Sequence, residues 1–538
     1  MNNEFITKVY LLNVPLENDY KNTLYFNSLS QQQAYFQSKI NSNYTYTDFS
    51  YQRKDSFIRV PDMYDNLLNC NYVMYQNSKY SNKWFYAFIT DLKYVSSDRT
   101  DVYIDTDVMQ TYMFDITVKE SFVEREHVSN DTIGLHTIPE GLETGEYKVG
   151  YKSSTSFGSA HVVVASTWDI FNEKPAGSIM NGLYQGVDYY LISSEGMYES
   201  SIKYLLSLYA DKGKSEAIIG LFMVPDSLTN YDNITWDYMS TSGGLSYFPY
   251  KKLSPEIMNA SDMGNFSLNK PLTSIDGYTP KNKKLFTYPF QYLLVSNNNG
   301  SSATFKYENF STNPINFNTK GVITPGCSIR TAPLNYKGIA RNNEEGLNLG
   351  KYPICSYNTD MYTNWLTQNS VNLGLSVASS LLTIGGGALM MSTGAGALAG
   401  AGSVTSGLLG IGQTLGQVYQ QSLVPPQAEG NQNCGDVIYA NGECNFTFYQ
   451  MNIKEEYARI IDKYFDMFGY RVNMVKVPNK AHRSRYWFTK TIDVNIDGAI
   501  PNSDMQKIKN AYNNGITFWR NADEIQNYSL SNDIALIN

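Results

Sequence analysis

The chain is poor in charge. Asp, Glu, Lys and Arg make up 17% of its 538 residues, well under the usual quarter, and the net charge is −8. A protein that grips nucleic acid needs clustered Lys and Arg, and this balance argues against one. It leaves room for a duct through which DNA slides, because an acidic wall repels phosphates. Histidine is scarcer still. The four copies are His127, His136, His161 and His482, with no HExxH or other metal spacing, and GxSxG is absent too. Neither a metal nor any other cofactor is expected. The five cysteines (Cys70, Cys327, Cys355, Cys434 and Cys444) are odd in number and contain no CxxC, so no disulfide framework is expected. Cys434 and Cys444 could face each other across a hairpin, with the reduced pair as the default. The opening MNNEFITKVYLLNVPLE carries Glu4 and lacks a basic stretch ahead of an apolar one, so no secretory signal is expected. Such a chain would reach a membrane by another route, for instance lysis inside a virion.

The largest absence is local. Between Asp360 and Glu429 lie 68 residues without one Asp, Glu, Lys, Arg or His. At this charge content, chance gives such a run at a given place with odds of about three in a million. Its heart is residues 371–423. Apolar side chains there include Leu373, Leu375, Val377, Leu381, Leu382, Ile384, Leu389, Met390, Met391, Leu398, Leu408, Leu409, Ile411 and Leu415. They are interleaved with Gly385, Gly386, Gly387, Gly396, Gly400, Gly412 and Gly416 among others, and 12 of the chain's 39 glycines fall between 371 and 420.

Length alone allows two membrane crossings of about 20 residues each. A permanent anchor is not expected, since the nearest basic residues, Lys351 and Lys454, are too distant to set topology. In water each glycine costs a helix roughly 0.8–1 kcal/mol against alanine, so helix has no strong advantage there. In hydrocarbon an unsatisfied amide costs several kcal/mol and helix becomes nearly compulsory. The spacings Gly396-x-x-x-Gly400, Ser406-x-x-x-Gly410 and Gly412-x-x-x-Gly416 then let helices approach closely. The segment therefore reads as membrane-active, in preference to a buried glycine-rich hairpin or a linker.

Around this segment tyrosine is in excess, with 44 copies. Its ring suits half-buried strands and contact surfaces, although codon bias in an AT-rich genome would raise it as well. Val102 to Val108 alternates with period two, with Asp105 and Asp107 on one face. Trp84 to Ile89 is apolar on both faces and reads as a central or interface strand. Helices are expected at 30–39, 201–213 and 454–470, the last burying Tyr457, Ile460, Ile461, Tyr464, Phe465 and Phe468. Strands are expected at 161–171, 217–225 and 286–360, a short helix at DMQKIKNAYNN, and a hairpin turning at Asn441-Gly442. The fold class is mainly β (α+β), with barrel or sandwich domains and one long hydrophobic glycine-rich loop.

Three groups look catalytic and are not read so. LYADKGKS (208–215) ends like a phosphate loop but has Leu208 where the first glycine belongs. Asp101, Asp105 and Asp107 could bind a cation or cleave a glycoside, and a solvated strand face or lumen wall is preferred. Glu124, Arg125, Glu126 and His127 read as an intersubunit or structural contact.

Several stretches resemble one family. They are FIRVPDMYDNLLNCNYVMYQN (57–77), WFYAFITDLKYVSSDRTDVYIDTDVMQTYMFDI (84–116), KESFVEREHV (119–128), NKKLFTYPFQYLLVSNNNG (282–300) and GITFWRN (515–521). The family is the tail knob proteins, or distal tail tube or major tail proteins, of small picovirus-type podophages. The likeness covers about two-thirds of the chain and is weak over 151–280, and the loop is similar in character only. It implies a non-enzymatic structural protein at the virion's tail tip: a homohexameric tube that joins other phage tail proteins and carries phage DNA without reading it. The loops would plug the lumen, then perforate the host cell membrane. On that basis residues 1–150 are expected to form an N-terminal β domain and 151–285 an inserted mixed domain. Residues 286–365 would complete the tube, 366–428 form the hydrophobic loop, and 429–538 close the chain. A pore-forming toxin and a tail-associated cell-wall hydrolase are the rival readings. The segment lacks the polar–apolar alternation of pore strands, and no catalytic constellation is evident.

Overall fold

Runs of β-branched and aromatic residues punctuated by Asn, Asp and Gly form strands here because the pleat accepts branched and ring side chains and the punctuation supplies turns. A computed structural model describes residues 7–349 and 445–534, apart from 48–49, 53–55, 78–82, 159, 181–182, 193–200, 230–232, 241–246, 254–260, 299, 324–327, 343–344 and 481. The chain divides into two units. One comprises 1–146, 277–290 and 454–538, and the other 147–276 and 291–453. The stretch expected to complete the tube, 286–365, thus contributes strands to the second unit from Gln291 on, alongside 147–276.

The first unit contains a seven-stranded antiparallel sheet, in the order Thr45–Tyr46, Thr7–Leu12, Tyr72–Asn77, Trp84–Ser96, Arg99–Thr106, Phe57–Val60 and Ser50–Gln52. Trp84–Ser96 is central, as its two apolar faces require. Ala87, Val73, Val102 and Ile58 pack on one side. Tyr72, Tyr86 and Phe88 pack on the other, beneath Phe36 of the helix Leu29–Ser38. Ser28 caps that helix by accepting from the Gln31 amide, and Phe36 lies flat on Tyr72 at 5.5 Å. A five-stranded sheet follows, in the order Asn22–Leu24, Ile516–Trp519, Tyr486–Ile492, Ser121–Glu126 and Tyr470–Lys476. Only its first pair is parallel. The helix Asn502–Asn514 covers it with Ile508, Ala511 and Tyr512.

The helix expected at 454–470 runs Glu455–Phe468 and buries Ala458, Ile461, Asp462 and Phe465. Ile460 departs from the expectation at 65% exposure. Asp462 lies on the buried side instead, because it accepts from Tyr278 Oη (2.7 Å), the Lys281 amide (2.8 Å) and the Asn282 amide (3.0 Å). A carboxylate so satisfied can be buried where periodicity alone would place only apolar residues.

The second unit has three larger antiparallel sheets around one core, besides two two-stranded ones. Tyr147–Ser154, Thr447–Ile453, Gln291–Ser296 and Ser302–Phe305 form the first. Ile218–Pro225, Ala160–Ser166, Asp188–Ile192, Tyr247–Lys252 and Asp237–Ser240 form the second. The third consists of Ser261–Leu268, Ile315–Val322, Ser328–Leu334 and Leu347–Leu349. Val163, Tyr190, Leu293, Phe317 and Phe448 share the core, with Phe448 stacked on Phe266 at 4.4 Å. The helix Ser201–Asp211 adds Leu205 and Tyr209. The mainly β class therefore holds. The hairpin expected at Asn441-Gly442 and the pair Cys434 and Cys444 lie outside the described residues, while Cys70 is buried and free.

Candidate functional site: the neck of the uncharged segment

Every apolar and glycine residue singled out between Leu373 and Gly416 lies outside the described residues. The nearest described residues on either side are Leu349 and Asn445, with 350–360 and 429–444 between them and the uncharged run. The chain enters through Leu347–Leu349, which pairs with Ser328–Leu334 in the register Ile329↔Leu349, Arg330↔Asn348 and Thr331↔Leu347. It re-emerges at Asn445 and passes into Thr447–Ile453, a strand held on both sides by Tyr147–Ser154 and Gln291–Ser296.

One turn fastens both borders. The strand Gln291–Ser296 and the strand Ser302–Phe305 are joined by NNNGS, in which Asn298 (φ 55°) and Gly300 (φ 81°) adopt the left-handed conformation that Asn and Gly tolerate best. Asn297 Nδ2 donates to the Asn348 carbonyl at 2.8 Å, on the entering strand. Asn298 Nδ2 lies 3.0 Å from the Asn445 carbonyl, 3.0 Å from Asn445 Oδ1 and 2.9 Å from Thr447 Oγ1, on the returning strand. Consecutive Cα atoms stand 3.8 Å apart, so the two borders meet within roughly 20 Å.

A second set secures the return. The Phe446 amide donates to Thr155 Oγ1 at 3.0 Å, the Thr155 amide donates to the Phe446 carbonyl at 3.0 Å, and the Phe446 ring is fully buried. Asparagine and glycine in NNNG suit a turn. The asparagines' role as a double clamp could not be read, because it depends on pairings far apart in sequence.

The groups that looked catalytic are placed in structural roles. Asp107 does not share a solvated face with Asp105. The strand ends at Thr106, and Asp107 caps the helix Val108–Tyr112 by accepting from the Met109 and Gln110 amides at 3.0 and 3.1 Å. It also accepts from Tyr72 Oη at 2.8 Å, and burial pushes its carboxyl up to about 6. Asp105 pairs with Lys507 at 2.6 Å, and Asp101 takes Arg59 in a two-pronged bond at 2.7 and 2.9 Å. In 208–215, Lys212 pairs with Glu173 and Lys214 lies over the Trp168 ring, an arrangement unlike a phosphate cradle.

The charged cluster at 124–127 is an internal fastening of the first unit. Arg125 and Lys284 both bond to the buried Glu140, which also accepts from the Arg471 amide at 2.9 Å. Glu124 pairs with Lys490 at 2.9 Å. His127 is buried between two backbone groups. Its Nδ1 accepts from the Phe488 amide at 2.8 Å, which leaves Nε2 to donate to the Asp466 carbonyl at 3.0 Å. Burial, with Arg483 nearby, lowers its pKa to about 3. Among the described residues no group of three or more His, Cys, Asp or Glu could hold a metal ion, and no helix is long and apolar enough to cross a membrane.

Comparison with known proteins agrees with this architecture. A family model described as the C-terminal domain of the Bacillus phage phi29 tail knob protein gp9 matches residues 250–533, and one for the caudoviral major tail protein N-terminus matches 6–119. The tail knob protein gp9 of Bacillus phage PZA is 29% identical over 97% of this chain and 98% of its own length. That of Bacillus phage phi29 is 27% identical over the same shares. The solved structure of the bacteriophage C1 tail knob protein gp12 has a similar fold, with a TM-score of 0.63, 17% identity and coverage of 98% of this chain and 100% of that one. The chain thus belongs to the tail knob protein family of short-tailed phages and is a structural component of the virion's tail.

Proposed function

We propose that the protein forms the distal tail knob as a closed homohexameric ring, joined to other tail proteins, through whose lumen phage DNA leaves without sequence recognition. The uncharged segment of each copy plugs that lumen before infection, then enters the host cell membrane and lines a pore. The protein has no enzymatic role in this account. The observation that carries the reading is the pairing of a 68-residue run without charge with hydrogen bonds that fasten the chain at Asn348 ahead of it and at Asn445 beyond it. A segment fastened this way can exchange protein for lipid as its surroundings without asking the flanking strands to move. Small residues and low charge make it tolerable in both.

The test combines imaging with leakage. Negative-stain images of the purified protein are expected to show a six-fold ring with a central channel, and liposomes are expected to release dye once the protein is triggered, mild acid being one trigger to try. Leu382→Asp with Leu409→Asp places charge in the apolar run at roughly 2.5–3.5 kcal/mol each in the bilayer, so leakage should fall by several orders of magnitude. Leakage unchanged by both charges contradicts the membrane role, and cleavage of cell-wall polymer by the pure protein contradicts the non-enzymatic one.

A further inference from the structure

The strand Arg99–Thr106 has a knob at one end and a hole at the other. At its start stands the tip of the hairpin it makes with Trp84–Ser96. The neighbouring strand Tyr72–Asn77 covers only Trp84 to Phe88, and the Ile89 amide makes a last bond to the Asn71 carbonyl. From Thr90 to Ser96 no other strand borders the outer edge among the described residues. Tyr94, near the tip, is 66% exposed, and among the described residues it has no hydrogen bond or ring partner. Tyrosine is enriched among the residues that anchor interfaces, and this ring stands at a tip free to reach a partner.

At the other end Asp107 turns the chain, and a pocket of about 220 Å³ opens behind the helix Val108–Tyr112. Its floor is Trp487 and Phe518, stacked at 5.3 Å, together with Met109. Met113 and the half-exposed Phe114 form one wall, and Asn27 and Lys480 stand among the polar lining. An apolar cavity of about 150 Å³ accepts a benzene ring, so this one has room for a phenol and its methylene. A lining that joins apolar rings with polar side chains suits tyrosine, whose ring ends in a hydroxyl that needs a partner. Lys480 also offers a cation to the acidic Asp98 in the hairpin turn.

From these features we propose that Tyr94 of one copy seats in the pocket of the next copy. The strand between tip and pocket has eight residues and spans about 23 Å, so Tyr94 cannot enter its own pocket. Knob and hole lie on different surfaces, and we take the contact as head to tail, the kind that closes into a ring; a reciprocal exchange between two copies would instead stop the double variant at dimers. It deepens the ring proposed above and rests on that reading.

The test uses the full chain with Tyr94→Cys, Met113→Cys and both together. Under mild oxidation the double variant should give a ladder of covalent oligomers up to the ring. An equimolar mixture of the two single variants should stop at dimers, and each single variant alone should match the parent. In parallel, Tyr94→Ala should raise the concentration at which the assembly half-dissociates at least tenfold with the circular dichroism unchanged, while Tyr94→Phe, which keeps the ring and loses only the hydroxyl, should fall between the parent and Tyr94→Ala. A parent chain that is monomeric at micromolar concentration removes the ring itself. A parent ring with no ladder and no response to Tyr94→Ala leaves the ring standing and overturns this contact. Disulfide dimers of Tyr94→Cys alone above the parent baseline overturn it as well, because they require the same surface on both copies.

Discussion

Asn298 donates from Nδ2 to the carbonyl of Asn445 at 3.0 Å, and in doing so it ties the turn after Gln291–Ser296 to the start of the strand Thr447–Ile453. The residue is constrained twice, since its backbone is left-handed and its amide serves the Asn445 and Thr447 side chains as well. Asn298→Gly should keep the backbone and lose the clamp, at a cost of about 1–2 kcal/mol. Asn298→Ala adds backbone strain to that loss and should cost more, on the order of 2–3 kcal/mol. Thermal midpoints and limited proteolysis at the 445–447 border check the order. Equal midpoints for all three chains contradict the clamp.

Glu140 concentrates the charge inside the first unit. Glu140→Gln leaves Arg125 and Lys284 buried without their shared carboxylate and should cost about 3–5 kcal/mol, read by urea unfolding. Glu124→Gln breaks a partly exposed pair and should cost less than about 1 kcal/mol. Similar losses in the two variants contradict the assignment of Glu140 as the centre of the cluster.

His127 makes stability depend on pH in a stated direction. Its folded pKa of about 3 lies below the ordinary 6.5, so the folded state prefers the neutral ring. That contribution is complete above pH 6.5 and is lost as pH falls from 6.5 toward 3. Asp107 acts oppositely. Its folded pKa of about 6 lies above the ordinary value of 3.8, so its contribution is present below pH 3.8 and lost as pH rises through 6. The two offset each other near pH 5, and the parent alone hides both. The difference in unfolding free energy between the parent and His127→Gln should rise by about 1.4 kcal/mol per pH unit between pH 4 and 6. A flat difference contradicts the neutral buried ring.

Much of this molecule was legible before its structure. WFYAFI reads as a central strand because both its faces are apolar, and it lies in the middle of seven strands. The helix Leu29–Ser38 falls where good helix formers follow a serine, and Asn502–Asn514 overlaps the short helix expected at DMQKIKNAYNN. What could not be read were long-range polar partnerships. Nothing local to Asp462 shows that the amides of Lys281 and Asn282 await it 180 residues away. Asp107 follows an alternating strand and looks like part of it, yet its carboxylate meets two free amides of the next helix and ends the strand there. Residues 151–276 were hard to organise because their strands share sheets and a core with strands from 291–349 and 447–453, contacts that no short window contains. The uncharged segment needed no partner to be noticed, since absence of charge over 68 residues is visible in the chain alone.

The most direct measurement removes that segment. A full-length chain and one lacking 371–423 are compared for ring formation by electron microscopy and for dye release from liposomes after triggering. The account predicts that both form rings, because the clamp at Asn297 and Asn298 and the strands beside it lie outside the deletion, and that only the intact chain releases dye. Loss of rings on deletion would make the segment ordinary core, and dye release by the shortened chain would place the membrane activity elsewhere. Either result contradicts the account.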